Sequence, residues 1–179
     1  MRVAVTGGIG EGKSTVLQIL RDLGQATFSA DEVAREVFSD DVVQGAISSA
    51  LNLSLPVRPD ELQKSIAQDP VARRAVNAIT HPRIVARLLE KTDCFIEVPL
   101  LIETVLHPAF DAVWVVTCGP EEQLRRVSER YGDEARARAL IRTQLASRAK
   151  IPFADQIIRT NSTMASVKAF VSKYLSRAL

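Results

Sequence analysis

The chain has 179 residues, 46% of them hydrophobic and 25% charged, with a formal net charge of +2. That is enough for one substantial core with a small inserted subdomain, too little for two full domains, and too neutral for a general nucleic-acid-binding surface. No apolar stretch is long enough to cross a membrane, and Cys94 and Cys118 lie in or beside apolar runs where buried free thiols are expected, so the reading is a cytoplasmic protein.

The first apolar run, 2–6, leads into Gly7-Gly-Ile-Gly-Glu-Gly-Lys-Ser14, a complete G-x-x-x-x-G-K-[ST] loop, and then into a helix-like stretch from Thr15. Glycines let the backbone curl with its N–H groups inward at a helix N-terminus, which favours anions. Gly8, Ile9, Gly10, Glu11, Gly12, Lys13, Ser14 and Thr15 are therefore the expected contacts to the phosphates of a nucleotide. Lys13 is expected to reach the β- and γ-phosphates, and Ser14 to offer its hydroxyl to Mg²⁺.

The second strand-like run, 26–29, ends just before Asp31. A carboxylate there suits the proton of an acceptor alcohol during in-line phosphoryl transfer, while its spacing equally suits a helix cap, as does that of Ser29. Residues 40–91 contain no clear strand, and Pro56, Pro59, Pro70 and Pro82 divide them into several helices, among them 71–79 and 84–89, as a helical substrate subdomain. His81-Pro82 reads as a buried, hydrogen-bonded histidine at a helix break before it reads as a metal ligand.

The third run, 93–97, ends in Glu97, where an acidic group can serve Mg²⁺ or its waters; Glu103 reads as a helix-surface residue or a contact to the substrate subdomain. After the fourth run, 112–117, the stretch 120–150 carries eight basic residues against five carboxylates and reads as a helical lid. Adjacent arginines cannot all face one ligand, so Arg130 and Arg142 are the candidates for the phosphates and the others are assigned to solvated faces. A fifth run, 155–159, precedes an amphipathic helix over 165–179 with Val167, Phe170, Val171, Tyr174 and Leu175 on one side. Strand-like runs alternating with helices predict an α/β fold: a three-layer P-loop arrangement with a five-stranded parallel sheet, one domain over 1–179 with the 40–91 and 120–150 segments inserted.

Taken together, these segments resemble the dephospho-coenzyme A kinase family. The resemblance is carried by Thr6-Gly-Gly-Ile-Gly-x-Gly-Lys-Ser-Thr15, Ala30-Asp31 with Ala34-Arg35, Asp69-Pro70, His81-Pro82, and Val98-Pro99-Leu100-Leu101 with Glu103, in the family's order. It implies transfer of the γ-phosphate of ATP to the ribose 3′-hydroxyl of dephospho-CoA, with Asp31 as base and Arg35, His81, Pro99 and Leu100 at the substrate. Ser29 stands where the family usually has a carboxylate, Glu97 where it has Asp, Arg58-Pro59 where its arginine is displaced by one, and Leu140 where its lid carries an arginine, leaving Arg142 as the substitute. Ala154-Asp155 and Thr160-Asn161 resemble the segment that borders the adenine. The rival readings are another small-molecule P-loop kinase, acting on a nucleoside monophosphate, shikimate or a sugar acid, and a nucleotide-binding switch; no guanine-reading N-K-x-D segment is present.

Overall fold

Five short runs rich in β-branched and aromatic residues form the strands, and helices fill the connections between them. The computed structural model describes residues 1–178, with side chains through Leu175; Leu179, the end of the expected last helix, lies outside the described residues. In chain order the elements are β1 (Arg2–Thr6), α1 (Lys13–Asp22), β2 (Ala26–Ser29), α2 (Ala30–Phe38), α3 (Asp41–Leu51), α4 (Pro59–Gln68) and α5 (Pro70–Leu89). They continue with β3 (Cys94–Glu97), β4 (Ala112–Thr117), α6 (Pro120–Tyr131), α7 (Glu134–Arg142), α8 (Ser147–Lys150), β5 (Gln156–Arg159) and α9 (Met164–Ala178).

Two units result: Met1–Ser29 with Thr92–Leu179, and Ala30–Lys91. In the first, all five strands run parallel in the order β2-β3-β1-β4-β5. Val3, Ala4 and Val5 are each no more than 1% exposed, so β1 is covered on both faces, which explains its unbroken apolar run. One face is packed by α1 and α9: Val16, Leu17 and Leu20 meet Val3, Val5, Phe95, Trp114, Val167, Val171 and Leu175. Phe95 and Trp114 stack edge to face there, their ring centroids 4.9 Å apart. The expected apolar side of the last helix is thus part of the main core.

The register aligns Val5 with Glu97 and Ser29 with Glu97, bringing the ends of β1, β2 and β3 to one edge. In parallel α/β sheets ligands bind beyond the carboxyl ends of the strands, so this edge positions the site.

The second unit is helical throughout and starts at Ala30, ahead of the expected 40–91 segment, because α2 packs on α5. Asp40 caps α3 by accepting from the Val42 amide at 2.9 Å, and Asp69 caps α5 from the Val71 amide at 2.7 Å with Pro70 behind it. The break expected at Pro82 is absent: α5 continues from Pro70 to Leu89. Proline removes one amide from the ladder, yet α5 is the spine against which α2, α3 and α4 pack, and tertiary contacts outweigh the local cost. Side chains also serve carbonyls in this stretch, with Thr80 Oγ1 donating to Val76 at 2.9 Å and Arg83 Nη1 to Ile79 at 2.6 Å.

Candidate active site

The loop between β1 and α1 turns through Gly10 at φ +76° and Gly12 at φ +89°, conformations that L side chains rarely adopt. A Cβ on Gly12 would stand 2.9 Å from Thr160 Oγ1, and one on Gly10 would stand 2.5 Å from a Val127 methyl, so both positions need glycine for space as well. Thr160 Oγ1 donates to the Glu11 carbonyl at 2.7 Å, tying the loop to the end of β5.

Above the loop lies a cavity of about 550 Å³. Ile9, Gly10, Gly12, Lys13, Ser14 and Thr15 form its floor, Glu97, Arg126 and Arg130 its charged walls, and Thr160, Ser162, Met164 and Val167 its far side. Lys13 Nζ donates to the Gly8 carbonyl at 3.0 Å and stands 3.8 Å from Glu97 Oε1. The ammonium is therefore held at the mouth of the loop with one carboxylate opposite.

The Ser14 hydroxyl and the Glu97 carboxylate are oxygen donors on one cavity, too few to cage an ion alone. That suits Mg²⁺, which takes one or two protein oxygens and completes its shell with water and phosphate oxygens. The residues therefore fit the metal expected from the sequence.

Of the loop residues expected at the phosphates, Gly8 and Glu11 do not line the cavity. The Gly8 amide donates to the Glu11 carboxylate, which is 1% exposed and turned back into the protein, because two hydroxyls and this amide offer it the hydrogen bonds that burial demands. The Ile9 amide is likewise taken, donating to Gln144 Oε1 at 2.9 Å.

The 120–150 stretch folds as α6, α7 and α8. Arg130, one of the two arginines selected from the sequence, reaches the cavity; Arg142 is exposed at the end of α7 and is not on its wall. Arg126, assigned by sequence to a solvated face, takes a place on that wall instead. It lies one helical turn before Arg130 on α6, and that i, i+4 spacing is the signal that could have found it. Its Nη1 and Nη2 donate to Thr160 Oγ1 at 3.2 Å and to the Thr160 carbonyl at 2.6 Å, and its Nε to Glu122 at 2.7 Å. Hydrogen bonds from Arg125 and Arg126 hold the Glu122 carboxyl down at about 2, so it stays ionised.

The Pro99-Leu100 turn follows β3. Pro99 accepts through its carbonyl from Thr6 Oγ1 at 3.3 Å and from Lys150 Nζ at 2.8 Å, while Leu100 is 43% exposed. Lys150 is fully buried, and its ammonium lies 2.9 Å from Glu103. Glu103 is thus an ion-pair partner within the sheet unit rather than a helix-surface residue, and sequence reading missed the pair because its members are far apart in the chain. Burial pushes the Glu103 carboxyl up, but the Lys150 hydrogen bond and backbone donors outweigh it, leaving it below the usual range.

In the helical unit, Asp31 and Arg35 are exposed on α2, with Arg35 Nε donating to the Asp31 carbonyl at 3.2 Å. His81 is exposed on the continuous α5, not buried at a break. Cys94 and Cys118 are buried and form no disulfide, and burial raises the Cys118 thiol to about 11.

Residues 1–166 match the family model described as dephospho-CoA kinase. The chain is 35% identical to the dephospho-CoA kinase of Moorella thermoacetica, over 94% of this chain and 88% of that one. It is 30% identical to that of Streptococcus mutans, over 98% and 96%. A solved dephospho-CoA kinase from Campylobacter jejuni has the same fold, with a TM-score of 0.75 and 24% identity over 99% of this chain and 96% of that one. With the phosphate loop, the Glu97 edge and the Pro99-Leu100 turn on one sheet edge, and the match running from β1 into α9, the chain belongs to the dephospho-CoA kinase family.

Proposed function

We propose that this protein transfers the γ-phosphoryl group of ATP to the ribose 3′-hydroxyl of dephospho-CoA, giving CoA and ADP, with Mg²⁺ at Ser14 and Glu97, and that it does so in the cytoplasm. The observation that carries the reading is the pairing of a Lys13–Glu97 mouth with the 550 Å³ cavity above the loop, in a chain of this family. The metal supplies charge neutralisation at the β- and γ-oxygens when bound.

In this mechanism Lys13 and the amides of Gly10 and of Gly12 to Thr15 hold the phosphates, and Arg126 and Arg130 face the charge that develops as the bridging β,γ P–O bond breaks. Asp31, at the first turn after β2, accepts the proton of the 3′-hydroxyl as its oxygen bonds to the γ-phosphorus. The family resemblance assigns Pro99 and Leu100 of the sheet unit, and Arg35 and His81 of the helical unit, to recognition of the acceptor. Arg142, which is not on the cavity wall, is given no part in this mechanism.

The test is ATP consumption with Mg²⁺ across dephospho-CoA, adenosine, AMP, shikimate and gluconate, with products identified by mass. Dephospho-CoA phosphorylated at the 3′ position is the expected dominant product. Preferential turnover of another acceptor, or none with any, overturns the assignment.

A further inference from the structure

Position 11 is the open position of the loop pattern, and here it carries a carboxylate that burial hides from solvent. Among the described residues its side chain is bonded by three neutral donors from three places: the Gly8 amide inside the loop, Thr117 Oγ1 at the end of β4 at 3.0 Å, and the Ser147 hydroxyl at the start of α8. A buried carboxylate is costly unless its lone pairs are filled, so this arrangement persists only if all three partners stay in register. Gln144, just ahead of α8, makes the adjacent bond to the Ile9 amide at 2.9 Å. Two successive loop amides are thus fastened to one short segment more than a hundred residues away.

We infer that Glu11 is a positioning residue that clamps the phosphate loop to the 144–147 segment through Ser147, setting the loop in its phosphate-binding conformation before nucleotide arrives. The Gly8 amide is held by the clamp, and the Gly8 carbonyl on the same residue receives Lys13 Nζ, so the clamp also aims the lysine. The phosphates are left with the amides of Gly10 and of Gly12 to Thr15. Misaimed groups in phosphoryl transfer lose turnover more than binding, because positioning is most of what the protein contributes.

The inference rests on the proposed reading of the loop as the phosphate site, and two measurements separate their failures. The first is amide hydrogen exchange at Gly8 and Ile9 in the protein alone, which needs no acceptor. Glu11→Ala and Ser147→Ala are expected to speed exchange at Gly8, and Gln144→Ala at Ile9, by more than at the β1 amides Val3 to Val5, which report global stability. The second is steady-state kinetics with ATP and dephospho-CoA. Glu11→Ala is expected to lower kcat roughly tenfold or more, and Ser147→Ala by less, since the Gly8 amide and Thr117 still hold the carboxylate, with KM for ATP moving less than kcat. The double variant is expected to be no slower than Glu11→Ala, since both remove one connection. Glu11→Gln keeps an acceptor oxygen for Gly8 and Ser147 and is expected to recover most of the turnover. Unchanged Gly8 exchange in Ser147→Ala, strictly additive losses, or a Gln variant as slow as the Ala variant overturns the inference. Should Glu11→Ala not fold, the Ser147 and Gln144 variants carry the test alone.

Discussion

The Lys13 ammonium at the start of α1 stands 3.8 Å from the Glu97 carboxylate at the end of β3, and both groups are largely shielded from solvent. Such a separation is an ion pair without a tight hydrogen bond. Removing either group should have distinct effects. Lys13→Ala is expected to lower phosphoryl transfer by roughly a thousandfold or more with the fold intact. Glu97→Gln is expected to raise the Mg²⁺ concentration for half-maximal rate, measured by titrating the metal at saturating ATP. A Glu97→Gln enzyme with the parent's Mg²⁺ dependence removes that carboxylate from the metal.

Asp31 opens α2 and its carboxylate is exposed. As a base, Asp31→Asn should reduce kcat by about a hundredfold or more while ATP affinity, read by equilibrium binding, stays within about twofold. As a first-turn carboxylate favoured by the helix dipole alone, the same change would cost about 0.3–1 kcal/mol of stability and leave kcat intact. The two readings differ in which measurement moves.

The arginines separate in the same way. Arg126 and Arg130 line the cavity and Arg142 does not. Arg130→Ala should lower kcat by at least about tenfold, and Arg126→Ala should both raise KM for ATP and loosen the Thr160 end of the loop, lowering Tm. Arg142→Ala is expected to match the parent in both constants, and a loss of kcat there would move the site toward the end of α7.

The Lys150–Glu103 pair sets an acid limit. The Glu103 carboxyl is depressed in the fold, so its contribution is present above the ordinary carboxylate range and disappears as pH falls through the lowered folded value. Stability to urea should therefore decline below about pH 4.5, and Glu103→Gln should flatten that part of the profile. Lys150→Ala, which strands a carboxylate and opens a cavity under Pro99, is expected to cost about 3–5 kcal/mol at neutral pH.

What the amino-acid sequence by itself determined is local. Val3, Ala4 and Val5 announce a doubly covered strand because each must be apolar to be buried on both faces, and the glycine-lysine-serine loop announces a phosphate site because its backbone turns and charge are encoded within eight consecutive residues. The strand positions, the helical character of the segment before β3 and the packed side of the last helix were legible for the same reason. Tertiary structure alone decided the rest. The order β2-β3-β1-β4-β5 arises from crossovers that no local period records. Helix α5 runs through Pro82 because three helices pack along it, a gain invisible in the proline's own preferences. Arg126 rather than Arg142 reaches the cavity because Thr160 at the end of β5 receives its guanidinium, and Glu11 turns inward because Thr117 and Ser147, both more than a hundred residues away, supply the hydroxyls that make its burial tolerable. Hydrogen bonds between distant segments exist only once the chain has closed on itself, so they leave no pattern in the sequence to read.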